Sequence, residues 1–333
     1  MSRAAVLRGL GAVVPPRVVT NDELAQRLDT SDAWIRSRTG IAQRHVSAPG
    51  TATSDLAVDA GARALKAADR DHVDLVVVAT TTPDHPCPAT APTVASRLGL
   101  GTVAAYDIAA VCTGFLYGLS TATAAIVSGM AESVLVIGAE TYSSILNPND
   151  RTTSVIFGDG AGAVVLTAGD RDEPGAVLEV DLGSDGTLAE LIMIPAGGSR
   201  QRLSGLPVSP DDTYFRMDGK RVFRSAVERM EGAARAVLER TGWTVDSVDR
   251  FVGHQANVRI LATVAEQLGV PRDRVVVNLD KVGNTSAASI PLALADAANS
   301  GGLAAGERVL LAAFGGGVTW GASALVWPDI SVF

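Results

Sequence analysis

The chain has 333 residues, of which 47% are hydrophobic and 19% charged, and its formal net charge is −8. This length exceeds one ordinary hydrophobic core and is enough for two halves of about 150 residues each. The negative charge excludes a general affinity for nucleic acid. Two cysteines, Cys87 and Cys112, are too few for a disulfide framework and suit a reducing, cytoplasmic compartment.

No segment is predicted to address the chain to a membrane. The N-terminal apolar run is interrupted by Arg8 and ended by Pro15 and Pro16, which is typical of a strand and not of a signal peptide. Residues 111–130 approach the length of a membrane span, but Gly, Ser, Thr and Ala dominate there and favour burial in protein. The four histidines have no metal-site spacing, so no metal is predicted.

In chain order, the first half alternates apolar runs with amphipathic or capped segments. The predicted elements are a strand at 4–11, short helices beginning at 20 and 31, a helix at 53–68, a strand at 73–80, a proline-rich loop at 81–92, a helix to 98, a strand at 103–109, a helix buried on every side to 130, and strands at 133–140 and 163–167.

The second half repeats this order after a polar insertion. The predicted elements are strands at 177–184, 248–254, 275–278, 308–314 and 321–327, and helices at 220–240, 257–268 and 286–299. Alternating strands and helices predict an α/β protein with mostly parallel sheets that are covered by helices.

The two halves also match in sequence. ESVLVIGAE (132–140) parallels ERVLLAAFG (307–315), and VDLVVVATT (73–81) parallels VDRFVGHQA (248–256). We therefore expect two pseudo-symmetric halves, 1–170 and 171–333, whose equivalent loops meet at one shared crevice.

Cys112 lies at a predicted corner between a strand and a helix. The N-terminus of a helix offers unpaired N–H groups and partial positive charge, which favour the nucleophilic thiolate. A free cysteine also packs well as a small buried hydrophobe. This stretch alone does not decide between a nucleophile and a structural cysteine.

Two further polar residues fall at equivalent corners of the second half. His254 follows a predicted buried strand, and Asn284 precedes a predicted buried helix. Taken singly, His254 fits a hydrogen-bonded core histidine and Asn284 fits a helix cap. Their coincidence with Cys112 at corners related by the repeat favours a common site.

Several ordered motifs carry a family resemblance. They are DAWIRSRTGI (32–41), Cys112 before TGF, FGDGAGA (157–163), HQAN (254–257), GNTSAASIP (283–291) and FGGGVTWG (314–321). Together they resemble the β-ketoacyl-acyl carrier protein synthase III family over nearly the whole chain. The resemblance implies a thiolase-like fold with five α-β-α-β-α layers, a homodimer, and no metal or bound organic cofactor, because coenzyme A enters as part of the substrate.

The resemblance also implies a decarboxylative Claisen condensation. Cys112 would take a short acyl group from acyl-CoA, and malonyl-acyl carrier protein would lose CO2 to give an enolate. His254 and Asn284 can each donate a hydrogen bond to that enolate oxygen. The backbone N–H groups of Cys112 and Gly316 would form the oxyanion hole, where glycine allows close approach.

Other residues match binding positions of the family. Trp34, Arg38, Arg151 and Asn257 correspond to positions that hold coenzyme A. Arg224 and Arg259 correspond to basic positions that dock the acidic carrier protein. A solvated surface charge is the alternative interpretation of each arginine.

Three positions depart from the family pattern. Gly253 replaces the usual proline and Thr152 a common glycine, and we expect neither to abolish activity. Cys87 stands where acetyl-using members often place a phenylalanine that reaches the partner's acyl pocket. The smaller side chain predicts a starter larger than acetyl, such as propionyl, butyryl or isobutyryl, for fatty-acid or polyketide initiation.

Two other functions remain as alternatives. One is a family relative that transfers an acyl group to a hydroxyl or amine without decarboxylation, although such relatives often alter the histidine or asparagine. The other is a non-catalytic assembly partner. The presence of all three candidate catalytic residues, Cys112, His254 and Asn284, argues against it. A thiolase would need a second catalytic cysteine, and Cys87 lies in the wrong loop.

Overall fold

The structure is a computed structural model that describes residues 2–333. The elements of its first part are β1 (Arg3–Val13), β2 (Val18–Thr20), α1 (Asn21–Ala25), α2 (Asp32–Thr39), β3 (Gln43–His45), α3 (Thr53–Ala67), β4 (Leu75–Ala79), α4 (Ala91–Arg97), β5 (Ala104–Ile108), α5 (Gly114–Val127), β6 (Ser133–Glu140) and β7 (Gly160–Asp170).

The second part continues the same alternation. Its elements are β8 (Val177–Ser184), β9 (Ile192–Met193), α6 (Ser199–Arg202), β10 (Arg216–Met217), α7 (Gly219–Thr241), β11 (Arg250–Gly253), α8 (Val258–Leu268), α9 (Leu279–Val282), α10 (Ser289–Asn299), β12 (Arg308–Gly315) and β13 (Thr319–Val326).

The two main sheets have equivalent topologies. The first has the strand order β1-β7-β6-β4-β5, and the second has the order β8-β13-β12-β11 when it is read from the equivalent edge. In each sheet the first three strands pair antiparallel and the remaining pairs are parallel. The repeat that the sequence predicts is therefore present in the strand pairing.

The helices complete five layers. α5 and α10 lie between the two sheets, where they share one apolar core with the inner faces of both. α3 and α4 cover the outer face of the first sheet, and α7 and α8 cover the outer face of the second. The predicted α-β-α-β-α architecture is confirmed. No helix within residues 2–333 is long and apolar enough to cross a membrane.

The prediction of a strand at 275–278 was wrong. Only one bridge joins Val275 to Phe251 of β11. The side-chain amide of Gln255 replaces further strand pairing, since its Nε2 donates to the Val276 carbonyl at 3.1 Å and its Oε1 accepts from the Asn278 N–H at 3.0 Å. The second sheet therefore stops at four strands.

The expectation that the helix after Cys112 is buried on every side was also wrong. α5 buries Phe115, Leu116 and Leu119 in the central core, but Ala124 and Val127 are exposed in the single chain. Met130, just beyond the helix, is 70% exposed. One face of this apolar helix is therefore accessible.

The close packing of β1 against α3 leads to a stability prediction. A Cβ atom at Gly11 would lie 2.4 Å from both the Ala60 carbonyl oxygen and the Ala64 nitrogen, which are backbone atoms that cannot easily move. We expect Gly11→Ala to lower the free energy of unfolding by about 3 kcal/mol, as measured by urea denaturation. As a control, Gly232→Ala on the exposed side of α7 meets nothing within 4 Å and should stabilise the protein by about 0.5–1 kcal/mol. Equal effects of the two substitutions would contradict the prediction.

Candidate active site

Cys112 lies in a tight turn between β5 and α5. The turn is a single 3-10 segment, Val111–Thr113, which leads directly into α5. Val111 has a φ of +48°, in the left-handed region that a β-branched residue rarely adopts. This conformation places Cys112 at the first turn of the helix, where it is only 7% exposed.

The second half carries an equivalent turn. Residues 286–288 precede α10 as the Cys112 turn precedes α5, and Ser286 has a φ of +47° at the position equivalent to Val111. The two turns pack together, because a Cβ atom on Gly114 would lie 3.3 Å from the Ala287 Cβ. The pseudo-symmetry therefore brings the two corners face to face.

Hydrogen bonds fix both the backbone and the side chain of Asn284. Its N–H donates to the Ile156 carbonyl at 2.9 Å, and its carbonyl accepts from the Gly158 N–H at 3.0 Å. Its Oδ1 accepts from the Ser286 N–H at 2.9 Å. The side-chain NH2 group, which can only donate, is left for a substrate.

His254 lies just after β11 and is almost fully buried. Its Nδ1 lies 2.6 Å from the Ser289 hydroxyl, at the start of α10. Burial lowers the pKa of His254 to about 3, so the imidazole is neutral at physiological pH. A neutral imidazole carries one N–H and can donate one hydrogen bond.

The thiol of Cys112 does not have the lowered pKa that its helix position predicts. Burial raises the pKa of Cys112 to about 12, with the Ser286 hydroxyl acting against the rise and the nearby Glu140 charge adding to it. Desolvation of the buried sulfur is the largest of these influences. The resting protein holds a thiol that must lose its proton when it reacts.

Cys112, His254 and Asn284 line one apolar cavity. The other lining residues are Phe157, Ile192, Phe215, Met217, Val222, Ala226, Met230, Ala256, Ile260 and Phe314. Tyr142 supports this wall, because it stacks on Phe157 with ring centroids 4.3 Å apart. The polar insertion thus contributes Ile192, Phe215 and Met217 to the cavity.

A second cavity continues from the first towards the surface. It shares Met217, Val222, Ala256, Ile260 and Asn284 with the inner cavity. Thr152, Phe223 and Asn257 line this second cavity but not the inner one. The two cavities form a route from the surface to Cys112.

The structure brings together the four residues that the resemblance assigns to coenzyme A. Trp34 and Arg38 lie on α2, where the Ser31 hydroxyl caps the helix by accepting from the Trp34 N–H at 3.2 Å. The guanidinium of Arg151 lies 5.3 Å from the Trp34 ring centroid. Asn257 donates to the Arg38 carbonyl at 3.0 Å, so the cluster adjoins the outer cavity.

The predicted carrier-protein residues lie beside the same cavity. Arg224 and Arg259 are exposed on α7 and α8, next to the cavity residues Phe223 and Ile260. Neither arginine makes an ion pair within the described part of the chain. A basic surface therefore borders the mouth of the route.

Gly316 lies close to the nucleophile turn. A Cβ atom on it would lie 3.2 Å from the Val111 side chain, and its carbonyl accepts from the Thr319 hydroxyl at 3.1 Å. The same hydroxyl lies 2.6 Å from that of Thr113. The glycine loop is thus tied to the turn that carries Cys112.

Cys87 lies apart from the cavity of its own chain. It is exposed in the loop between β4 and α4 and does not line the inner cavity. A role in an acyl pocket therefore depends on a second copy of the chain.

Sequence reasoning missed three features of the site. Ser289 positions the His254 ring, the aromatic cluster around Tyr142 forms the cavity wall, and the carboxyl of Glu140 is buried beneath Cys112. The acidic residue at the end of the otherwise apolar run SVLVIGAE was the available signal for Glu140.

Known proteins match the chain over almost its full length. Residues 106–186 match 3-Oxoacyl-[acyl-carrier-protein (ACP)] synthase III, and residues 238–327 match the C-terminal part of that family. The chain is 66% identical to Beta-ketoacyl-[acyl-carrier-protein] synthase III 5 of Streptomyces coelicolor, with 99% of each chain covered.

Solved structures agree with these sequence matches. The crystal structure of 3-oxoacyl-(acyl carrier protein) synthase III from Pseudomonas aeruginosa is 51% identical, with a TM-score of 0.93 over 98% of this chain and 99% of that one. The priming β-ketosynthase of the R1128 polyketide pathway is 37% identical, with a TM-score of 0.91 over 98% and 97%. The chain belongs to the β-ketoacyl-acyl carrier protein synthase III family, whose members are decarboxylating acyltransferases.

Proposed function

We propose that this enzyme condenses a short acyl-CoA starter with malonyl-acyl carrier protein and so initiates a fatty-acid or polyketide chain. The observation that carries the proposal is the cavity that joins one thiol, Cys112, to two neutral hydrogen-bond donors, His254 and Asn284. A thiol can hold an acyl group as a thioester, and two neutral donors can stabilise an enolate without being ionised themselves.

The acyl group is transferred first. Cys112 attacks the carbonyl carbon of the acyl-CoA thioester, and coenzyme A leaves. The backbone N–H groups of Cys112 and Gly316 stabilise the oxyanion that forms during this attack. Exchange of one thioester for another costs little free energy, so the acyl-enzyme can accumulate.

The carrier-protein substrate then enters the same cavity. Loss of CO2 from the malonyl group leaves an enolate, whose oxygen accepts hydrogen bonds from His254 and Asn284. His254 Nδ1 lies 2.6 Å from the Ser289 hydroxyl; in the proposed mechanism this hydroxyl donates to Nδ1, so that Nε2 carries the proton that faces the enolate. The enolate carbon attacks the acyl-Cys112 carbonyl and releases the β-ketoacyl product.

The surface cluster around α2 holds the coenzyme A part of the first substrate. Arg38 and Arg151 provide positive charge for phosphates, Trp34 provides a face for the adenine, and Asn257 contacts the pantetheine arm. Arg224 and Arg259 receive the acidic carrier protein beside the outer cavity. Charge reversal at these two arginines would weaken the carrier-protein reaction and spare the loading step.

The enzyme is proposed to act as a homodimer. Strand β5 is an edge of the first sheet, and its Tyr106 is 37% exposed. Val127 at the end of α5 and Met130 just beyond it are also exposed. A second copy that covers this face would also bring its Cys87 loop to the acyl pocket.

The starter is proposed to be larger than acetyl because Cys87 is small. Replacing Cys87 by phenylalanine should fill space in the acyl pocket and shift the kcat/KM ratio of isobutyryl-CoA to acetyl-CoA towards acetyl by about 10–200-fold. The ratio is measured by steady-state kinetics with each starter. Leu203→Phe, at a residue that is 87% exposed, is the control. An unchanged ratio in the Cys87 variant would refute the proposed role.

Intact-protein mass spectrometry tests the central proposal. The enzyme is incubated with acetyl-, propionyl-, butyryl- and isobutyryl-CoA, beside a Cys112→Ala variant. We expect a mass gain of one acyl group in the wild type only, followed by its loss when malonyl-carrier protein is added. No gain from any starter, or an equal gain in the variant, would overturn the proposal.

A further inference from the structure

Arg44, on β3, is a cation that is almost fully buried, with 1% of its surface exposed. All of its hydrogen-bond partners are uncharged groups. Its Nη1 donates to the Val19 carbonyl at 3.1 Å and to Asn21 Oδ1 at 2.8 Å, and its Nη2 donates to the Val155 carbonyl at 2.7 Å. Its Nε is buried and has no hydrogen-bond partner within residues 2–333.

The positive charge of Arg44 is not neutralised by the protein. The Asn21 amide links it to Asp32, to which Asn21 Nδ2 donates at 2.9 Å, but Asp32 already pairs with Arg36 at 2.8 Å. Burial lowers the pKa of Arg44 only to about 10, so the guanidinium is charged at neutral pH. A buried charge without an opposite charge beside it is costly. An anion close to Arg44 would therefore stabilise the folded chain.

Arg44 lines a cavity that is distinct from the two cavities leading to Cys112. Its volume is about 340 Å³, which lies within the range of small-molecule sites. The charged residues that line this Arg44 cavity are Arg17, Glu23, Arg27 and Arg44. Arg17 pairs with Glu23 at 2.7 Å. Arg27 makes no ion pair in the described part of the chain and donates only to the Pro148 carbonyl. Two positive charges thus remain, on a chain whose net charge is −8.

The rest of the wall is mostly apolar. The apolar lining residues are Val19, Leu24, Val46, Leu146, Pro148 and Phe157. The two serines of the wall are already bonded, since the Ser143 hydroxyl donates to Asp159 at 2.6 Å and the Ser154 hydroxyl donates to the Asn147 carbonyl at 2.7 Å. The cavity therefore combines unpaired positive charge with an apolar surface, which suits a ligand that carries an anionic head and a hydrocarbon chain.

We propose that the Arg44 cavity binds a short-chain carboxylate, whose head lies against Arg27 and Arg44 and whose chain lies against the apolar wall. A guanidinium presents donors in a planar fork that matches the two oxygens of a carboxylate. A carboxylate carries one negative charge, so it costs less to desolvate than a doubly charged phosphate. The site is separate from the condensation reaction, and its existence does not depend on the proposed function.

Isothermal titration calorimetry with hexanoate tests the proposal on the wild-type protein. We expect one hexanoate to bind per chain. Hexanamide has nearly the same shape without the charge and should bind about 10-fold more weakly or worse. Acetate keeps the charge but lacks the chain, and it should also bind about 10-fold more weakly or worse. Failure of hexanoate to bind, or equal binding of hexanamide, would overturn the proposal.

Substitutions distinguish the Arg44 cavity from the neighbouring Cys112 cavity, with which it shares Phe157. Arg27 is exposed and lines only the Arg44 cavity, so Arg27→Gln should fold normally and weaken hexanoate binding about 10-fold or more. Arg70→Gln removes an exposed arginine that does not line the cavity and should leave the affinity unchanged.

A third variant, Arg44→Gln, removes the buried charge itself and should abolish hexanoate binding. Its circular dichroism spectrum shows first whether it folds, and if it does not, Arg27→Gln decides the test. Hexanoate binding that is as tight in Arg27→Gln as in the wild type would overturn the proposal, because it would place the ligand in the Cys112 cavity. Equal weakening by Arg27→Gln and Arg70→Gln would also overturn it, since only the overall charge of the protein would then matter.

Discussion

Replacing Asn284 by aspartate should lower the rate of condensation about 1,000-fold or more while Cys112 still accepts an acyl group. The aspartate Oδ1 can accept from the Ser286 N–H as the asparagine Oδ1 does, so the turn keeps its shape. The NH2 group that donates to the enolate is replaced by a negatively charged oxygen. The variant therefore loses a donor and gains a charge that repels the enolate.

The two steps are measured separately to test this expectation. Loading is followed by intact mass, and condensation is followed by CO2 release from malonyl-carrier protein with a preloaded enzyme. Asn149→Asp adds the same charge in an exposed loop and should leave both rates unchanged. If the Asn284 variant condensed at the wild-type rate, its amide would have no part in stabilising the enolate.

The Glu140→Gln variant should lose about 3 kcal/mol of unfolding free energy between pH 6.5 and pH 4.5, whereas the wild type should change far less. The pKa of His254 is lowered from 6.5 to about 3 in the folded protein. The unfolded chain therefore binds a proton that the folded chain does not, and stability falls as the pH drops below 6.5.

Glu140 has the opposite effect over the same range. Its pKa is raised from 4.5 to about 7 in the folded protein, so the folded chain binds a proton that the unfolded chain does not. Its contribution to stability is complete below pH 4.5 and is lost as the pH rises through 7. Between pH 4.5 and 6.5 the slopes from His254 and Glu140 cancel, at about 1.4 kcal/mol per pH unit each.

Urea denaturation of three proteins at pH 4.5, 5.5 and 6.5 checks this balance. Glu140→Gln keeps only the His254 slope and should lose stability on acidification. His254→Asn keeps only the Glu140 slope and should gain about 3 kcal/mol over the same change. Other titrating groups contribute equally to all three proteins, so three parallel pH curves would show that neither group titrates as described.

The fold and the three cavity groups followed from local patterns in the sequence. Apolar runs and caps predict the elements, and the repeat predicts that corners of both halves meet. Cys112, His254 and Asn284 each stand at such a corner, which is why their placement along one cavity was predictable. Their chemical roles came from the family motifs and not from the repeat.

Other features depend on contacts between distant segments. The strand expected at 275–278 is absent because the Gln255 side chain takes its backbone hydrogen bonds, which no periodicity reveals. The thiol pKa of Cys112 is raised by burial and, to a lesser extent, by Glu140, and the Ser286 hydroxyl opposes the rise; burial at this position requires the second half to be in place. From the sequence alone, Glu140 is only the last residue of a predicted strand. Its buried environment forms when Thr81, Thr82 and the Ser286 turn fold around it.

The left-handed backbone of Val111 bears on how far this enzyme can be made thermostable. A β-branched residue at a φ of +48° costs about 1–3 kcal/mol, which a glycine at that position would recover. A selection for heat resistance alone would therefore favour Val111→Gly. The same change would let the adjacent Cys112 sample more orientations, so heat-resistant descendants would turn over more slowly. We therefore expect the strain beside the nucleophile to set stability against activity in this enzyme.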